Sequence, residues 1–69
     1  MNENLIGSIE GGGTKFVCAV IDEENQILAE TRVPTTDPAT TLGACLEFFK
    51  QKELQLGKLA ALGIACFGP

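Results

Sequence analysis

Apolar runs of strand length and one longer periodic stretch alternate along the chain with short polar or glycine-rich breaks. Leu5 to Glu10 reads as a strand halted by Gly11, Gly12 and Gly13. Thr14 to Ile21 reads as a second strand in which both alternating sets are apolar, Phe16, Cys18 and Val20 against Val17, Ala19 and Ile21. That pattern predicts burial on two faces. Asp22 to Asn25 is a polar turn, and Gln26 to Val33 then alternates, with Ile27, Ala29 and Val33 set against Gln26, Leu28, Glu30 and Arg32. One half-wet face suits an edge strand.

The next break, PTTDP, introduces a helix. Asp37 has the residue type of an N-cap and Pro38 stands at the first helical position, where a missing N–H costs nothing. Leu42, Cys45, Leu46 and Phe49 follow at i, i+3, i+4 and i+7 and predict one buried stripe, with Gly57 as the stop. Gly43 weakens the helix centre by roughly 1 kcal/mol relative to Ala. Leu59 to Phe67, an unbroken apolar run after a helix, predicts a buried strand parallel to the first. The fold class is therefore α/β: three antiparallel strands, then a helix, then a parallel strand. One helix covers one sheet face and leaves the other bare, so residues 1–69 are expected to form the N-terminal part of a larger protein.

Composition narrows the function. The 69 residues are 45% hydrophobic and 20% charged, which is globular but small. A formal net charge of −4, no histidine and no cluster of Lys or Arg exclude a nucleic-acid or anionic-membrane surface. No basic-flanked leader and no run near the ~20 apolar residues of a membrane span is present, so the expected location is the cytoplasm. Cys18, Cys45 and Cys66 are too scattered for a metal quartet and read as reduced thiols in apolar surroundings. Phe48 and Phe49 read as core or rim of the helix.

The candidate chemistry lies in Glu10-Gly-Gly-Gly-Thr-Lys15. A dinucleotide fingerprint would need a third glycine where Phe16 stands and a helix where a strand follows. A P-loop would need Gly-Lys-Ser/Thr, whereas the order here is Gly13-Thr14-Lys15. A glycine turn between antiparallel strands remains. Glycines at positive φ would let successive N–H groups face phosphate oxygens as a nest, with a hydroxyl from Thr14 and a charge from Lys15. Glu10 would oppose a bare phosphate but suits a hydrated Mg²⁺ bridging phosphates. The same residues also describe a plain hairpin turn flanked by solvated charges.

The string IEGGGTKFVCAV, the PTTDP before the helix and the closing LGIACFGP together resemble the start of the ROK sugar kinases, and more closely their bacterial fructokinase branch. That resemblance implies the ribonuclease H-like, actin-like ATPase fold, with this chain as the N-terminal part of the nucleotide-binding lobe. It places Gly12, Gly13 and Thr14 on the turn facing the ATP phosphates and Lys15 beside it. Glu10, where many relatives have Asp, falls on the Mg²⁺ side, with contact through water. Gly68 and Pro69 fall on the loop entering the sugar cleft. The implied reaction is ATP-dependent phosphorylation of a hexose, fructose to fructose 6-phosphate, by a homodimer. The catalytic Asp and a Cys/His zinc cluster would lie beyond Pro69. Two other readings stay open. One is a sugar-responsive repressor of the same family, for which the four residues Met1 to Asn4 ahead of Leu5 leave no room for a DNA-binding motif if Met1 is the start. The other is a structural fragment with no activity of its own.

Overall fold

The computed structural model describes residues 4–66. Its elements are β1 (Leu5–Gly11), β2 (Lys15–Ile21), β3 (Ile27–Pro34), α1 (Pro38–Leu56) and β4 (Leu59–Cys66). The strands form one sheet in the order β3-β2-β1-β4. β1 pairs antiparallel with β2, β2 antiparallel with β3, and β4 parallel with β1. This is the mixed α/β arrangement that the apolar runs predict, with β3 at one edge as expected. β4, expected to be buried, is instead the other edge strand and is exposed from Ala60 to Ala65, because the described residues place no strand beyond it.

The pleat sorts the side chains. Leu5, Gly7, Ile9 and Gly11 alternate onto the helix side of β1, in register with Val20, Cys18 and Phe16 of β2. Leu5, Ile9, Cys18 and Val20 make the core with Cys45 and Phe49 of α1. Two glycines are required by this packing. A Cβ on Gly7 would lie 2.9 Å from the Leu59, Leu62 and Phe49 side chains, and one on Gly11 would lie 2.6 Å from the Phe16 ring. Glycine thus lets the helix and the Phe16 ring lie directly on the β1 backbone.

α1 begins and ends as its sequence dictates. The Asp37 carboxylate accepts the Thr40 N–H at 3.0 Å, Pro38 opens the first turn, and Gly57 stops the helix at φ 117°. The buried stripe keeps Cys45 and Phe49 of the expected set but not Leu42 and Leu46. Thr41, Cys45 and Phe49 are buried, whereas Leu42 and Leu46 are 45% and 59% exposed. Thr41 turns inward because its hydroxyl accepts the Thr36 N–H at 2.9 Å and donates to the Pro34 carbonyl at 3.5 Å. Leu42 and Leu46 are left on the flank shared with Glu53, whose carboxylate accepts the Leu59 N–H at 2.8 Å at the start of β4.

Ile27 also departs from the simple alternation. The β2–β3 register slips between Val20 and Ile21, so Ile27 pairs with Ile21 while Ala29 pairs with Val20. This irregularity moves Ile27 off the helix face and leaves it 60% exposed. Ala29 and Val33 pack against the core as expected. The β2–β3 turn is built by Asp22, whose carboxylate accepts the Glu24 and Gln26 N–H groups at 2.9 Å, with Asn25 at φ 64°.

Cys18 and Cys45 are free thiols, fully buried where β2 meets α1. Burial, reinforced by the Cys45 thiol, pushes the Cys18 thiol from 9.0 up to about 12. Among the described residues no helix is long and apolar enough to cross a membrane. Phe67, at the expected end of the last strand, and the cleft-loop residues Gly68 and Pro69 lie outside the described residues.

Candidate functional site

The hairpin between β1 and β2 closes on a hydrogen bond from the Gly12 N–H to the Lys15 carbonyl at 3.0 Å. Gly13 and Thr14 form its exposed tip. Among the described residues, neither the Gly13 N–H nor the Thr14 N–H donates to a protein acceptor outside the strand ladders. With respect to the described residues, both are left for a ligand or for water.

The three consecutive glycines serve different purposes. Gly11 is demanded by Phe16. A Cβ on Gly12 would meet only the Lys15 carbonyl oxygen at 3.7 Å, an ordinary contact, and one on Gly13 would meet nothing within 4 Å. Neither Gly12 nor Gly13 adopts positive φ, contrary to the conformational reason expected for a nest. Folding therefore explains Gly11 and leaves Gly12 and Gly13 unexplained. Their bareness matters to whatever approaches from outside.

A concavity of about 220 Å³ adjoins the turn, lined by Glu10, Gly11, Gly12, Thr14, Lys15 and Val17. Glu10, Lys15 and Val17 alternate onto the face of the sheet opposite the helix, since Ile9 and Phe16 face the core. Pleat alternation carried through from Thr14 would set its side chain and that of Lys15 on opposite faces. The strand starts only at Lys15, so Thr14 escapes the pleat and both residues line the one concavity. The sequence brings forward Glu10, Gly12, Gly13, Thr14 and Lys15; the structure gathers all but Gly13 around the hollow and puts Gly13 at the tip beside it.

Glu10 decides what cation the hollow suits. Among the described residues no group of three His, Cys, Asp or Glu side chains converges as a metal site. A lone exposed carboxylate fits Mg²⁺, which keeps several waters and takes the rest of its shell from phosphate oxygens. It does not fit an ion held by protein ligands alone, and the described residues provide no place for zinc.

Thr35 is the participant that reading the sequence missed. Its hydroxyl donates to the Gly12 carbonyl at 3.0 Å and its N–H to the Thr14 carbonyl at 3.0 Å. Nothing in the local pattern marks a partner 23 residues away. The only signal was a pair of threonines between a strand and a helix cap, in a break that otherwise needs neither. Asp22 and Asp37, by contrast, are engaged in the β2–β3 turn and the helix cap, and neither stands at the hollow.

Comparison with known proteins agrees with this architecture. The ROK family model matches residues 6–69. The chain is 51% identical over 69 residues to a fructokinase of Zymomonas mobilis, covering 99% of this chain and 23% of that protein. It is 52% identical over 65 residues to a fructokinase of Streptococcus mutans, covering 94% of this chain and 21% of that protein. A putative fructokinase of Bacillus subtilis is 43% identical over 65 residues, 94% of this chain and 20% of its own length. The chain thus spans about a fifth of the length of the curated relatives it matches.

Proposed function

The chain belongs to the ROK family, whose fold is that of the actin-like ATPases, and on that premise we propose that it supplies the ATP-phosphate turn of a hexose kinase converting fructose to fructose 6-phosphate. The observation that carries this reading is the pair Gly12 and Gly13, bare where the fold has no need of it, beside Thr14 and Lys15 at one hollow. Fructose as the sugar rests on the fructokinase relatives alone.

Phosphoryl transfer asks a protein mainly for positioning and for neutralisation of charge. The Gly13 and Thr14 N–H groups donate to phosphate oxygens, and the missing side chains at positions 12 and 13 let those oxygens come close. The Lys15 ammonium lies within reach of the same oxygens and offsets the charge they carry. Glu10 would hold the hydrated Mg²⁺ that accompanies ATP, and that ion would supply neutralisation of the phosphate charge. Removing the proton from the sugar hydroxyl requires a base placed in line with the γ-phosphate. Asp22 and Asp37 are spent on structure, so the base comes from residues other than these.

Gly12→Val in a full-length protein carrying this sequence tests the reading. The fold leaves room for a Cβ at position 12, whereas the phosphate path would be crowded, so the ATP constant rises or turnover falls while the sugar constant holds. If ATP constant and turnover both match the parent, the turn has no part in the site.

A further inference from the structure

We infer that Thr35, in the β3–α1 connection, is a positioning residue that sets the orientation of the phosphate turn; the inference rests on the kinase reading above. Thr35 holds both arms of the hairpin. Its N–H takes the carbonyl of Thr14 on the exit side, which extends the β2–β3 ladder one step past the paired Lys15 and Pro34. Its hydroxyl takes the carbonyl of Gly12 on the entry side.

The consequence follows from peptide geometry. A trans peptide unit is planar, with its C=O and the next N–H pointing in opposite directions. Holding the Gly12 carbonyl toward Thr35 therefore directs the Gly13 N–H away from it, outward from the β3–α1 connection. A glycine pair without side chains has many conformations open to it. A hydrogen bond on one of its carbonyls removes most of that freedom before any ligand arrives, and pre-organisation of this kind lowers the cost of binding.

Thr35 is itself held from both sides. The carbonyl of Pro34 before it and the N–H of Thr36 after it both bond the hydroxyl of Thr41, a side chain only 2% exposed in the first turns of α1. The Thr41 N–H in turn donates to the Asp37 carbonyl at 3.0 Å, and the Asp37 carboxylate caps the helix. The N-terminus of α1 thus anchors Thr35, and Thr35 anchors the turn. This gives the PTTDP segment a task that its place between a strand and a helix does not by itself require.

The test is Thr35→Val against Thr35→Ser in a full-length protein carrying this sequence, with Gly12→Val alongside. Valine keeps the shape and the backbone N–H but loses the hydroxyl bond; serine keeps the bond and loses a methyl. The valine variant is expected to raise the ATP constant roughly three- to tenfold, the equivalent of one lost hydrogen bond. Its sugar constant should not move and its Gly12 amide, which donates to the Lys15 carbonyl across the turn, should exchange faster, while the serine variant behaves as the parent. An ATP constant unchanged by Thr35→Val while Gly12→Val impairs ATP use would overturn the positioning role and leave the turn in the site. No effect of either valine would remove the turn and Thr35 together. A serine variant as impaired as the valine one, or sugar and ATP constants shifted alike, would show that Thr35 matters only for folding and so also refute the inference. Thr35→Ala, which cannot overfill the position, reports in place of valine if that variant does not fold.

Discussion

Each glycine of the turn has its own sensitivity, and substitution separates them. Gly11→Ala forces a Cβ against the Phe16 ring at 2.6 Å, so it should destabilise the protein by about 1–3 kcal/mol in a denaturant melt. Gly13→Ala meets nothing and should stay within about 0.5 kcal/mol of the parent. A mild Gly11→Ala would mean that Phe16 swings away freely and that packing does not explain this glycine. Lys15→Ala in the full-length protein should lower kcat roughly ten- to a hundredfold, more than it raises the ATP constant, if the ammonium meets charge that grows in the transition state. Unaltered kinetics would take Lys15 out of the site. The Cys18 thiol makes a different prediction. Its pKa is raised from 9.0 to about 12, so the neutral thiol's contribution to stability is complete below pH 9 and is lost as pH climbs from there through about 12. Cys18→Ala should flatten that alkaline loss, and thiol reagents at neutral pH should label Cys18 only as fast as the protein opens.

At the scale of elements, the helix cap is the feature with a pH signature. The backbone N–H of Thr40 holds the exposed Asp37 carboxyl below its usual 3.8. A lowered folded pKa means that the cap's stabilisation is present above that usual value and fades as pH falls through the lowered one. Asp37→Asn keeps an acceptor without a charge, so its helical signal should lose the acid dependence; an identical acid profile in parent and variant would refute the cap's role. The elements themselves were legible because each advertises itself locally: unbroken or alternating apolar runs for the strands, Asp37-Pro38 and Gly57 for the helix ends. Which way Ile27, Leu42 and Leu46 face was not legible. A register slip between Val20 and Ile21 and the hydroxyl bonds of Thr41 decide it, and both are contacts between one element and the next that the apolar pattern within a single element does not encode. The turn was legible as a cluster of glycines, but the division of labour within it needed the position of the Phe16 ring, and Thr35 needed the fold.

For the whole molecule, one helix lies on one face of a four-stranded sheet, and apolar side chains remain uncovered. Leu62 and Ile64 of β4 are 41% and 62% exposed, on the strand toward which the Leu42 and Leu46 flank of α1 is turned. Residues 1–69 on their own should therefore bind apolar dyes or self-associate, and a monomer with a cooperative melt and no dye binding would contradict this. The same chain, freed of host kinases and supplied with ATP, Mg²⁺ and fructose, should form no fructose 6-phosphate, since its two aspartates are committed to a turn and a cap. The claim on which the rest depends is that the tip of the first hairpin receives the phosphates of ATP. The most direct measurement is the amide spectrum of a full-length protein with isotopically labelled glycine, titrated with ATP and Mg²⁺. The Gly12 and Gly13 signals should move with saturation while those of Gly43 and Gly57, in and after the helix, stay in place; ATP binding that leaves Gly12 and Gly13 where they were would contradict the claim.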